Sequence, residues 1–111
     1  MILPIKRKWF DMILSGEKKE EYREIKPYYE ARFMNLFGMI IKDGKLIQIP
    51  APFLENSHTP VRTIIFRNGY SKNSPTLEAE CTLSTGKGKP EWGAKPGKEY
   101  YILHIRNTRR I

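Results

Sequence analysis

Between Ser15 and Arg23 the chain reads Ser-Gly-Glu-Lys-Lys-Glu-Glu-Tyr-Arg, a run without one aliphatic side chain. Just before it, Trp9, Phe10, Ile13 and Leu14 have the spacing of one apolar stripe on a short helix, Lys8 to Ser15. Gly16 suits the left-handed position that closes such a helix, and a strand is expected to follow. If Lys18 to Glu24 are extended, alternation sets Lys18, Glu20, Tyr22 and Glu24 on one face, and Lys19, Glu21 and Arg23 on the other. Neither face reads as core. These charges must pair with one another or meet water, a partner or a ligand, because an unpaired charge is rarely buried.

Around this stretch the chain offers enough apolar pattern for one small core and one domain, residues 1–111, with no internal repeat. Ile-Leu-Pro-Ile at the start reads as a short strand that Pro4 confines to an edge. A second helix is expected from Lys26-Pro27 to Gly38, with Tyr29, Phe33, Leu36 and Phe37 as its stripe and Tyr28 off it. Met39 to Lys42 and Lys45 to Ile49 flank Asp43-Gly44, the dipeptide of a two-residue hairpin turn. Pro50 to Pro60, including His58, reads as a surface loop. Val61 to Arg67 reads as a strand that ends at an Asn68-Gly69 turn, and Leu77 to Ser84 alternates apolar and polar, which places Cys81 inside. Thr85 to Lys98 has the glycines, prolines and lysines of a mobile basic loop carrying an exposed Trp92. Glu99 to Arg106 is apolar on both faces, as in a strand inside a covered sheet, and Asn107 to Ile111 reads as a tail that frays. Five or six short strands and two helices near the N-terminus suggest an α+β chain: a small, highly curved sheet or barrel with the helices plugging an end or a side.

Twenty Lys and Arg against twelve Asp and Glu give a net charge of +8, which suits a polyanionic partner such as RNA. The single cysteine and two histidines stand far apart at Cys81, His58 and His104, so no short-spaced metal cluster, and no metal or other cofactor, is expected. Gly86-Lys87-Gly88-Lys89 lacks the spacing of a Walker loop. No apolar run is long enough to span a membrane, and the first residues lack the order of a signal peptide, so a cytoplasmic monomer is the simplest expectation.

Gly16, Lys18, Glu21 and Arg23 also fit a GxKxxExR pattern, and through it the chain resembles the ASCH domains, of bacterial or phage type, whose β-barrel is similar to the PUA fold of RNA-modifying proteins. The resemblance covers nearly the whole chain. It implies a PUA-like barrel with a cleft between barrel and helix that binds RNA or a modified nucleoside. On that reading Lys18 supplies a point charge, Arg23 a planar fork and Glu21 an acceptor, while Tyr22, Tyr28, Tyr70 and Trp92 are candidates to stack on bases. Lys6, Arg67 and Asn68 are further candidates for the same cleft; a plain ion pair between Glu21 and Arg23, and turn chemistry at Asn68, are the structural alternatives. Some ASCH relatives are small amidohydrolases acting on acetylated cytidine, with a threonine where Glu21 stands here. A hydrolase, amidohydrolase or metal-independent ribonuclease, with Lys18 and Glu21 as its acid and base, is therefore the alternative function.

Overall fold

The computed structural model describes residues 1–48 and 60–111. Its elements run β1 (Ile2–Pro4), α1 (Arg7–Leu14), β2 (Glu20–Glu24), α2 (Pro27–Phe37), β3 (Ile40–Lys42), β4 (Lys45–Gln48), β5 (Arg62–Arg67), β6 (Thr76–Lys87) and β7 (Glu99–Arg110), with one turn of 3-10 helix at Pro90–Trp92. The expected Pro50–Pro60 loop, with His58, lies almost wholly outside the described residues. Five strands form one curled sheet in the order β1-β5-β6-β7-β2, a half-barrel, and β3-β4 stand apart as a hairpin. The architecture is α+β, as the element pattern implied. Among the described residues no helix is long and apolar enough to cross a membrane.

Local chemistry accounts for most boundaries. Gly16 takes φ +87° after α1, and the Gly16 and Lys18 amides donate back to the carbonyls of Ile13 and Met12. Pro27 opens α2 and Gly38 closes it at φ +65°. Asp43 and Gly44, at φ +51° and +76°, make the hairpin turn between β3 and β4.

The concave face of the sheet is the core. Leu3, Ile64, Phe66, Leu77, Ala79, Cys81, Leu83, Tyr101 and Leu103 point into it and are covered by Phe10 and Ile13 of α1 and by Phe33 and Phe37 of α2. Burial raises the Cys81 thiol from an ordinary 9.0 up to about 12, so it is a packing group, as its place in the alternation implied.

Three expectations are corrected. Residues 85–87 continue β6 instead of opening a loop, pairing with Tyr101, Tyr100 and Glu99. The basic tail does not fray: Asn107 to Arg110 pair with Glu80 to Leu77, and the Ile111 amide donates to the Thr76 carbonyl. Backbone pairing reaches past the last apolar residue because the ladder needs only peptide groups on both strands. Lastly, the charged stretch does have a buried face. Glu21 pairs with Leu103 and Arg23 with Tyr101, so both point to the core side of the sheet.

Candidate functional site

The two edges of the half-barrel, β1 and β2, come together without pairing. Between them lies a cleft of about 510 Å³. Its floor is the end of β1 with Pro4, Ile5 and Lys6, and Trp9 of α1; one wall is Glu21, Tyr22 and Arg23 of β2 with Tyr100 of β7. The rim is completed by Asn68, Gly69 and Tyr70 after β5, and by Trp92 and Gly93. Because the cleft wraps the free edge of β2, residues from both faces of that strand reach it.

Behind the wall runs a chain of three charges. Lys18 is only 1% exposed, and its strand-like alternation fails because β2 starts at Glu20; the turn at Gly16 aims it inward, onto the side of Glu21 and Arg23. Its Nζ lies 3.1 Å from Glu21 Oε1 and donates to the carbonyls of Glu20, at 2.5 Å, and Trp92, at 2.8 Å. An ammonium has three protons, and these three acceptors take them all. Burial lowers the Lys18 pKa from its ordinary range, against the pull of the Glu21 carboxylate, and Arg23 adds to the fall. Glu21 Oε2 accepts from Arg23 Nη2 at 2.8 Å, and the same nitrogen donates to the Pro4 carbonyl at 2.8 Å, bridging the gap between β2 and β1. Arg23 Nε is buried with no acceptor among the described residues. Its Nη1 makes no hydrogen bond among the described residues.

The aromatic part is held by the loop between β6 and β7. Tyr22 Oη donates to Glu20 at 2.8 Å and accepts the Lys89 amide at 2.9 Å, and Tyr100 Oη accepts the Lys95 amide at 3.0 Å. With the Lys18 bond to Trp92, three side chains under the cleft pin this loop, so Trp92 has a fixed seat. Trp92 is half-buried rather than exposed. Lys18 Nζ also stands 5.1 Å from the Trp9 ring centre and 4.9 Å from that of Tyr22, so its charge meets the π faces of both. Tyr70, 96% exposed, stands at the mouth.

Of the residues the sequence nominated, Lys6, Glu21, Tyr22, Arg23, Asn68, Tyr70 and Trp92 line the cleft together. Four do not. Gly16 acts through the turn, and Lys18 sits behind the wall. Tyr28 lies on α2, with the Arg32 guanidinium 3.5 Å over its ring and its edge against Tyr29. Arg67 turns its Nε to Thr76 Oγ1 at 3.3 Å. Trp9, which the α1 stripe explains as core with a base-stacking platform as the alternative, lines the cleft as well; sequence reasoning missed Tyr100, because β7 is apolar on both faces and offers no alternation to single it out. His104, a conceivable acid or base beside Glu21 in ribonuclease chemistry, does not converge with it. It is on the other face of the sheet, where its Nδ1 is 3.8 Å from Glu20 Oε2 and its Nε2 is 2.6 Å from Ser84 Oγ. Comparison of the chain with protein-family models, with curated proteins and with solved structures returned no match.

Proposed function

We propose that this chain is a PUA-like domain of the ASCH type that binds RNA or a nucleoside in the cleft between β1 and β2. The observation that carries the reading is one arginine, Arg23, fixed in the wall of an aromatic-lined cleft by a buried carboxylate while part of its guanidinium stays without an acceptor among the described residues. A planar fork held rigid is suited to phosphate or base-edge recognition, and Tyr22, Trp92 and Tyr70 supply the rings against which a base stacks. The net charge of +8 supports a polyanionic partner. Binding is preferred to hydrolysis on the geometry of Lys18: a general base needs a free lone pair within reach of substrate, and this ammonium is enclosed with its three protons taken.

The test is fluorescence anisotropy with a short single-stranded RNA at two salt concentrations, with the RNA recovered afterwards and checked for cleavage. Binding that weakens log-linearly with salt, drops in Arg23→Ala and Tyr70→Ala, and is untouched in Tyr28→Ala is the expected result. Binding to neither RNA nor any nucleoside would refute the proposal, and cleavage lost in Glu21→Gln would turn it into an enzyme.

A further inference from the structure

The cleft has a polar inventory that narrows what it takes. Among the described residues it contains one acidic side chain, Glu21, and both of its oxygens are engaged, one by Lys18 and one by Arg23. Two cations against one anion leave this buried trio with an excess positive charge, and Lys6 on the floor adds another. The carboxylates nearest in sequence cancel little of it: Glu24 is on the opposite face of β2, 3.4 Å from Lys98, and Glu20 accepts from Tyr22 and acts on Lys18 more weakly than Glu21 does, and among the described residues neither pairs with Arg23 or Lys6.

The donors and acceptors that remain have a clear pattern. Arg23 Nη2 is committed to Glu21 and Pro4, so the guanidinium cannot swing away, and Nη1, which has no acceptor among the described residues, is left for one from a ligand. Asn68 gives its amide Nδ2 to the Ile5 carbonyl at 2.8 Å, which leaves its Oδ1 as an acceptor at the cleft. The walls beside these groups are rings. A volume of about 510 Å³ lies within the range of sites for one small ligand, roughly 300–1,000 Å³, so a single unit fits and the rest of a polymer must run outside.

We infer that the cleft is a nucleotide site in which Arg23 and Lys6 take a phosphate, Asn68 takes a hydroxyl or amino donor, and the base lies among Tyr22, Trp92 and Tyr70. This rests on the nucleic-acid reading above and separates a phosphorylated unit from an uncharged nucleoside. Phosphate supplies the acceptor that the fixed guanidinium lacks, through a charge-assisted bond about twice as strong as a neutral one. An uncharged nucleoside leaves the excess positive charge of the cleft unanswered.

The experiment is calorimetric titration of the whole chain with each of the four ribonucleosides, with their 5′- and 3′-monophosphates, and with inorganic phosphate. For at least one base the monophosphate should bind about tenfold tighter than its nucleoside, which is the scale of one hydrogen bond to a charged group. That preference should shrink in Arg23→Lys, which keeps a charge and loses the fork. It should also shrink in Lys6→Ala, an exposed site whose change leaves the fold intact. Equal binding of nucleoside and monophosphate would overturn the phosphate assignment and leave the cleft a nucleobase site. Inorganic phosphate binding as tightly as the monophosphates would overturn the nucleotide assignment and leave a bare anion site. No binding of any of these would overturn the inference, and the anisotropy test with RNA then decides separately whether the function on which it rests stands.

Discussion

Lys18→Met is the most informative single change, because it keeps the length and apolar stem of the side chain while removing the one charge on which three acceptors converge. Those acceptors, the Glu20 and Trp92 carbonyls and Glu21 Oε1, lie within 3.1 Å of Nζ, and the lysine is 1% exposed, so water does not readily replace it. Removing one partner of a buried ion pair costs about 3–5 kcal/mol, since the other charge stays behind uncompensated. Arg23 still holds Oε2, which argues for the lower end of that range. A domain of this size is stable by only about 5–15 kcal/mol, so the loss is large. At roughly 4 °C per kcal/mol it corresponds to a fall in Tm of about 12 °C or more. The assay is denaturant unfolding of wild type, Lys18→Met, Glu21→Gln and the double variant. In the double variant the neutral amide oxygen of Gln still accepts from Arg23, and only one cation is left without a carboxylate against two in Glu21→Gln, so it should be more stable than the sum of the single effects by about 1–3 kcal/mol. A Lys18→Met protein within about 1 kcal/mol of wild type, or strict additivity in the cycle, would refute the claim that this charge chain is a closed unit.

Other parts of the molecule give independent expectations. The native Cys81 thiol titrates near 12 against 9.0 when unfolded, so its contribution to stability is complete below pH 9 and is lost as pH rises from there toward 12. Its share of the slope should reach about 1.4 kcal/mol per pH unit and should be lost in Cys81→Ala, measured by urea midpoints across that window, while the slope that Tyr22 and Tyr101 add above pH 10.0, their hydroxyls pushed up by burial, should remain in both proteins. A Cβ at Gly88 would stand 2.6 Å from the Tyr22 ring and 2.7 Å from the Ala94 methyl, so Gly88→Ala should cost about 1–3 kcal/mol in urea unfolding and loosen nucleotide binding by shifting Tyr22. Deleting residues 107–111 strips Leu77 to Glu80 of their β7 partners and should cost about 2 kcal/mol or more, whereas a frayed tail would cost nothing measurable by thermal melting.

The sequence spoke clearly where a signal is local. The α1 stripe, Pro27 and Gly38 around α2, and Asp43-Gly44 in the hairpin each act within one or two turns of chain, and each holds in the structure. The alternation from Leu77 to Leu83 set Cys81 inside for the same reason. What could not be read depends on partners distant in sequence. That Lys18 is buried follows from the Trp92 carbonyl, 74 residues on, and nothing near Lys18 announces it. Tyr28 and Arg67 look available in the sequence but find Arg32 and Thr76 in space. The resemblance pointed to Gly16, Lys18, Glu21 and Arg23, and only the last two touch the cleft; the others fix where those two stand.

The position of the cleft has its own physical reason, and it begins with Pro4. A sheet that curls this far brings its edges face to face, and two edges with free peptide groups would zip together into a closed barrel. Pro4 has no N–H to give a neighbouring strand, and its carbonyl is already taken by Arg23 Nη2. On the opposite edge the Glu20 carbonyl is taken by Lys18. Side chains from the charged stretch therefore satisfy the backbone groups that another strand would use, and they hold the seam at the width of a side chain instead of the width of a hydrogen bond. The same two cations that keep the barrel open leave its opening with a positive charge. On the proposed reading, an open seam lined by rings and an immobile guanidinium is a binding site made from the failure of a sheet to close, and the Ser15–Arg23 stretch would then govern both the fold and the ligand.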